Sequence, residues 1–511
     1  MSTTTRKLSV LDSAFLFAET PECPMHVGST TIVRLPDGYD GDFFEDFRGL
    51  IASRLHLAKS LTYKLAQAPF EIDRPSWVED EDFDINRHVF RAALPAPGDR
   101  ATLQRLAGWL HAKTLNRARP LWEIYVFEGL PNNEAGIYSK MHHALIDGGA
   151  GAALTEILYD TSPQPRSVPA PRAGVGPPKP QTARDVTSSM FAAYAEVMRL
   201  PFQSASERKT IELPRSGGSD LSSVLLDAAI HQLEWPLQLG ASLPDILQSL
   251  STATSALLKP NALKALELLN APPTPLNVAI SSERSYSTVS LPLGRAKAVA
   301  AKAGGKVNDV VLALSSGMLR RYLLEIDALP KKTLTAFVPI SARDQGNAEM
   351  KNQVFGMICP LATNVEDPRA RIEEIVTQAG NAKELANPFR GLVPILTDMP
   401  TFGTPMLFQL LATFYSRSNL ANVTPPGVNV VVSNVFFSRK PFYIAGAEIE
   451  HIYPMSIPVH GQGLNITVQG YRDQLDFGLM AAANVLPHVE HLVEMLPIEL
   501  EELERAYGLT A

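Results

Sequence analysis

Apolar and polar residues alternate along Ala135-Gly136-Ile137-Tyr138-Ser139-Lys140-Met141, and this two-residue period predicts a half-buried strand. Similar short runs predict strands at 30–35 and 122–127, and residues 101–115 carry apolar positions at helical spacing. A second block of elements opens with a strand at 284–291. A helix at 296–303 follows and stops at Gly304-Gly305, a C-cap signal. Another helix is predicted over 308–324, strands over 334–340, 353–361, 428–434, 464–469 and 475–480, and a closing helix over 487–507 with glutamate-rich faces. Between the blocks, Pro163, Pro165, Pro169, Pro171, Pro177, Pro178 and Pro180 mark a stiff, extended linker. The stretch from about 185 to 270 then has helical spacing and few strand signals. No short internal repeat is present. The pattern implies an α+β chain in three parts: a mixed-sheet half at 1–162, a proline-rich linker with helical crossover at 163–283, and a second mixed-sheet half at 284–511.

Composition narrows the partners. A chain of 511 residues favours two domains over one, and 45% hydrophobic with 19% charged residues suits a soluble protein with a large core. The net charge of -7 argues against a nucleic-acid partner, whose footprint would be basic. Cys23 and Cys359 stand far apart and outside any metal or redox motif, which fits a reducing cytoplasm. The segment Met1-Ser2-Thr3-Thr4-Thr5-Arg6-Lys7 lacks the apolar core of a signal peptide. The oiliest run, 405–415, falls short of the ~20 residues that span a bilayer, so the expectation is a soluble or peripheral protein.

The candidate chemistry lies at the end of the 135–141 strand, in His142-His143-Ala144-Leu145-Ile146-Asp147-Gly148-Gly149. Apolar spacing from Ala152 through Leu154, Ile157 and Leu158 predicts a helix just beyond. Adjacent residues on extended backbone point to opposite faces, so one histidine faces a reaction site and the other faces the protein. A histidine there can exchange a proton near neutral pH. Asp147 can fix the turn, and Gly148 and Gly149 let the chain turn into a helix without a Cβ penalty. Taken alone, such a pair more often means satisfied structural histidines than catalytic ones. No metal site is expected, because neither H-E-x-x-H nor Cys-x-x-Cys occurs. A G-x-S-x-G elbow is also missing, which argues against a serine nucleophile.

The segment 142–148 matches the HHxxxDG signature of acyltransferases related to chloramphenicol acetyltransferase and to peptide-synthetase condensation domains. The rest of the chain resembles the bacterial wax ester synthase/diacylglycerol acyltransferases. Leu11-Asp12 with Phe15-Leu16, then Pro24-Met25-His26-Val27-Gly28, resembles that family's N-terminal segment. Pro120-Leu121-Trp122 resembles its PLW motif, Thr274-Pro275-Leu276-Asn277 the opening of its second half, and Asn308-Asp309-Val310-Val311 its ND motif. One departure is visible: where the family often has Ser-Asn-Val-Pro-Gly-Pro, this chain continues Ser433-Asn434-Val435 into Phe436-Phe437-Ser438.

The resemblance implies two chloramphenicol-acetyltransferase-like halves facing each other across a tunnel. It implies an O-acyltransferase that joins a long-chain acyl-CoA to diacylglycerol or a fatty alcohol, with acyl-CoA as co-substrate and neither metal nor other cofactor. His143 would be the general base, with His142 either orienting the turn or merely packed. Asp147 would pair with an arginine, for which Arg343 is a candidate, and Gly148 would serve backbone shape. Asn308 would cap its helix or support the oxyanion, and Asp309 and Trp122 would lie at the substrate, although a tryptophan is more often core. Arg320-Arg321 reads as a solvated pair, with the CoA phosphates as a lesser alternative. The implied location is the cytoplasm, peripheral to the inner membrane face or to lipid inclusions; 405–415, like the helical crossover, would line apolar tunnels for the two chains or be buried core, and an exposed apolar face there would suit a membrane contact. Two rivals stay open: the same fold acting on another or carrier-bound acceptor, and a lipid-binding protein without catalysis.

Overall fold

The computed structural model describes residues 6–66, 74–145, 154–169, 270–341, 354–386 and 404–509. Most of the predicted crossover, 170–269, lies outside the described residues, as do Asp147, Gly148 and Arg343.

The first part of the chain runs β1 (Arg6–Lys7), α1 (Val10–Ala18), β2 (His26–Arg34), α2 (Phe43–Arg54), β3 (Tyr63–Ala66), β4 (Ser76–Glu79), β5 (Val89–Ala93), α3 (Arg100–His111), β6 (Trp122–Glu128) and β7 (Glu134–His142). Capping sets the helix starts. The Ser9 side chain accepts the Asp12 N–H, Asp42 accepts that of Glu45, and Asp99 accepts that of Thr102. The later part runs β8 (Arg284–Pro292), α4 (Leu293–Ala303), α5 (Val307–Glu325), β9 (Thr335–Ser341), β10 (Val354–Pro360), α6 (Pro368–Ala386), α7 (Thr404–Arg417), β11 (Val430–Ser438), β12 (Tyr443–Ile444), β13 (Ala447–Met455), β14 (Leu464–Tyr471), β15 (Gln474–Ala482) and α8 (Glu490–Ala506). The predicted stop of α4 is real: Gly304 caps it at φ 69°, a left-handed conformation that costs glycine nothing.

Among the described residues, one sheet has the order β12-β13-β2-β7-β6-β5, a second β10-β9-β11-β14-β15-β8, and a small third β1-β4-β3. Both large sheets are mixed: β5 runs parallel to β6, and β11 is parallel to β9 and β14, while the remaining pairs are antiparallel. The α+β class with two mixed-sheet halves therefore stands. The boundary at 284 does not divide the molecule cleanly, because β12 and β13 leave the later part of the chain and complete the first sheet. Glu448 pairs with Arg34 and Met455 with Gly28 along β2. Without that partner, β2 would present a nine-residue open edge of unpaired N–H and C=O groups.

β7 is central in its sheet and covered on both sides, which erases the predicted half-buried alternation. Phe43, Phe47 and Ile51 of α2 pack against one face of the sheet, with Ile124, Val126 and Ile137. Leu103, Ala107 and Leu110 of α3 cover the other face, and this core also takes in Tyr286, Tyr453 and Met480. The two halves therefore share a core. Polar contacts reinforce the junction. Tyr286 donates to the Tyr453 carbonyl at 3.2 Å and lies 2.9 Å from Thr30 Oγ1. The buried Asp476 carboxylate accepts from Ile452 N at 2.8 Å and from Ser290 Oγ at 2.5 Å. At the closest crossing, a Cβ on Gly478 would stand 1.8 Å from the Pro454 carbonyl oxygen.

Where the family's Ser-Asn-Val-Pro-Gly-Pro segment would fall, β11 simply continues. Its pairing with β14 reaches Ser438–Tyr471, with an irregularity between Phe436 and Ser438. Phe437 packs with Phe442, Tyr159 and Tyr471. Apolar residues thus extend the strand.

Candidate active site

The backbone of the histidine pair is held from two sides. His142 pairs with His26 across β2 and β7. Beyond the strand, His142 N donates to the Leu121 carbonyl at 2.9 Å and His143 N to the Met25 carbonyl at 2.8 Å, while Leu145 N closes the turn onto the His142 carbonyl at 2.9 Å. Pro24-Met25-His26 and Pro120-Leu121-Trp122 therefore each contribute a main-chain acceptor to the same two residues. These separate sequence motifs meet because they build one turn.

The two rings part as extended backbone requires. His142 is buried; its Nδ1 accepts the Ala144 N–H at 3.0 Å, which leaves the proton of the neutral ring on Nε2. That nitrogen faces Glu19 Oε2 at 3.3 Å, an ion-pair distance without good hydrogen-bond alignment. Glu19 follows α1 directly. Burial alone would raise its pKa, but the His142 Nε2–H turned toward it and the Arg117 guanidinium outweigh it and bring the carboxyl down to about 2. Arg117 donates to Glu19 Oε1 at 2.9 and 3.1 Å and to the Leu16 carbonyl at 2.6 Å, tying the end of α1 to the loop before β6. His143 is only half-buried, and its ring stacks on Phe15 of α1 with centroids 3.9 Å apart and planes 12° from parallel.

Behind the strand, burial keeps the neighbouring histidines neutral. His26 donates from Nε2 to the His111 carbonyl at 2.6 Å, and burial, with the Lys140 charge adding, pushes its pKa well below the ordinary value. Burial likewise takes His111 to about 3. Lys140 donates to the carbonyls of Leu110 and Lys113 at 3.2 and 3.0 Å, closing the C-terminal end of α3, and pairs with Glu123 at 3.2 Å. The turn thus has a rigid polar backing.

The other expected site residues divide. Trp122 does not face a substrate surface: its indole N–H donates to the Leu61 carbonyl at 2.7 Å and its ring stacks on His88 within the core. Asn308 is not the N-cap, because α5 begins at Val307 and Lys306 precedes it. Asp309 Oδ2 accepts the Lys306 N–H at 2.7 Å, so the carboxylate is spent on the start of its own helix. Asn308 sits half-buried in that first turn. Arg320 and Arg321 are not a solvated pair: Arg320 donates to the Thr363 carbonyl at 2.8 Å, and Arg321 bridges Glu499 and Glu502 at 3.0 and 2.9 Å. Cys23 and Cys359 are free, buried thiols. Among the described residues, no group of three His, Cys, Asp or Glu side chains converges to hold a metal ion.

Glu19 was not singled out from sequence. Its signal is positional: it is the residue after a helix whose Phe15 already belongs to a recognisable segment. Because its pKa is depressed, its contribution to stability is complete above about 4.5 and lost as pH falls toward 2. The shift corresponds to about 3 kcal/mol. Glu19→Gln is therefore expected to unfold earlier in urea than wild type at neutral pH, with the two converging as pH drops through that window. A gap that stays constant with pH would contradict the assignment.

Comparison with known proteins identifies the family. The chain matches the wax ester synthase/diacylglycerol acyltransferase catalytic domain over residues 8–311 and the C-terminal domain of the same family over 350–504. It is 34% identical over 507 residues to Rv3740c of Mycobacterium tuberculosis, named as a candidate diacylglycerol O-acyltransferase, covering 98% of this chain and all of that one. Another M. tuberculosis protein, tgs2, named for the same activity, is 33% identical over 98% of both chains. Among solved structures, the wax ester synthase/diacylglycerol acyltransferase of Marinobacter aquaeolei VT8 superimposes with a TM-score of 0.65 at 25% identity, covering 98% of this chain and 100% of that one. The trichothecene 15-O-acetyltransferase of Fusarium sporotrichioides shares the fold at 10% identity, with a TM-score of 0.52 and coverage of 98% and 95%. Matched along nearly its whole length in sequence and in structure, the chain belongs to the wax ester synthase/diacylglycerol acyltransferase family.

Proposed function

We propose that this acyltransferase transfers a long-chain acyl group from CoA to the hydroxyl of diacylglycerol or of a fatty alcohol, with His143 as general base. His143 takes the hydroxyl proton, the alkoxide oxygen attacks the thioester carbonyl carbon, the C–S bond breaks, and the same imidazole returns its proton to the departing thiolate. No covalent acyl-enzyme intervenes. The observation that carries this reading is the position of His143: a half-exposed imidazole on a backbone pinned at both sides, beside a second histidine engaged with Glu19. The names of the M. tuberculosis relatives and of the Marinobacter protein support a lipid alcohol as acceptor. Asp147 would fix the turn and Gly148 would serve its shape; Asn308 would support the oxyanion from the start of α5. Such acceptors reside in lipid, so the protein would work at a membrane or lipid-inclusion surface. Among the described residues no helix is long and apolar enough to cross a membrane.

The test offers palmitoyl-CoA with diacylglycerol and hexadecanol in competition, and measures free thiol and ester together. One ester formed per CoA released is expected, and the product ratio identifies the preferred acceptor. Lipid bound without thiol release would sink the reading and favour a non-catalytic binder.

A further inference from the structure

α7 presents two unlike faces. Leu410, Leu411 and Phe414 are 59%, 54% and 62% exposed, and at 3.6 residues per turn they share one side of the helix. Ser416 lies on the opposite side and is buried. Its hydroxyl donates to Glu22 Oε2 at 2.8 Å and faces His460 Nε2 at 2.9 Å, while His460 Nδ1 accepts the Ile280 N–H at 3.1 Å. With Nδ1 accepting, Nε2 carries the proton and donates to Ser416, so a directed chain of hydrogen bonds anchors the helix by its polar side. α7 also packs along α1, the helix whose Phe15 stacks on His143.

The chain segment that carries α7 is poor in acid. From Met399 to Ala447 the sequence has no Asp or Glu, although the chain carries 53 acidic residues and a net charge of -7; the charged residue of α7 is Arg417. Among the described residues, the Glu22 carboxylate meets α7 through Ser416 on the anchored side. An apolar face without acid fits an anionic surface and disfavours a basic protein partner.

We propose that the Leu410–Leu411–Phe414 face of α7 seats the enzyme on an anionic phospholipid bilayer, one helix away from His143. The choice of a lipid occupant rests on the lipid-acceptor reading above. The geometry leaves the anchored face on the protein and turns the apolar face outward, as in helices that lie in a membrane interface.

The test is sedimentation of the full chain with phosphatidylcholine vesicles containing 30 mol% phosphatidylglycerol. Parallel arms use pure phosphatidylcholine vesicles and a triolein emulsion. Leu411→Glu combined with Phe414→Glu is expected to weaken binding to the anionic vesicles roughly tenfold or more, with an unchanged melting temperature. Leu324→Glu, which charges an exposed apolar residue at the end of α5, is expected to bind as wild type. Equal loss in both variants, unchanged binding in the α7 variant, or preference for neutral triolein would overturn the proposal. So would a wild-type dimer in solution that the α7 variant converts to monomer. Vesicle binding is read without turnover, so absent ester formation would remove the acyltransferase reading while leaving the docking result standing.

Discussion

Replacing His143 with alanine is expected to lower ester formation by ~10²–10⁴-fold while leaving the protein folded. The size follows from the loss of a positioned base, and the intact fold follows from how the residue is held. Its N–H bond to the Met25 carbonyl is main chain and survives the substitution, as do the neighbouring bonds from His142 and Leu145. What leaves is the half-exposed ring and its stacking on Phe15. His142→Ala is different in kind. It removes a buried ring that accepts from Ala144 and faces Glu19, so it disturbs the turn itself. Turnover assays paired with circular dichroism separate the two. Wild-type turnover in His143→Ala would end the general-base assignment.

The largest expected loss of stability comes from a residue far from any motif. Gly478→Ala places a methyl 1.8 Å from the Pro454 carbonyl oxygen and 2.9 Å from its carbonyl carbon. Both atoms are backbone in a paired strand, so no side chain can swing aside. β15 and β13 must move apart, straining the Asp476 contact to Ile452 and the Tyr286 contact to Tyr453. A cost of ~3 kcal/mol or more is expected, read as a lower denaturant midpoint. A variant with the wild-type midpoint would mean that the junction is not the tight crossing described.

Much of this arrangement was legible in the sequence, for definable reasons. The helices after Gly305 and before Tyr507 carry periods set by their own local burial, whereas the strand ending at His142 and the central strands of the second sheet show as short apolar runs because they are buried on both faces. β13 was not legible. Ala447–Met455 contains Glu448, Glu450, His451 and Pro454, a mixture explained only by its place between β2 and the junction with the other half. Trp122 shows the same limit from the other side. A motif can mark a position without saying whether the side chain meets substrate or core, and here it braces β6 from within. The Glu19–His142 contact joins residues that no local pattern connects. The converging carbonyls of Met25 and Leu121 explain why those segments accompany the histidine pair, and this became clear only from the turn they share.

The strand that closes the first sheet also sets a schedule. β2, β6 and β7 emerge from the ribosome long before β13, with roughly 300 residues between His142 and Met455. At 5–20 residues per second, that interval lasts roughly 15–60 s. Throughout it, the edge of β2 lacks β13 beside the nascent histidine turn, open to pairing with another chain. Completion of the first sheet is therefore expected to lag far behind the synthesis of β2, β6 and β7, with the growing chain dependent on chaperones until β13 arrives.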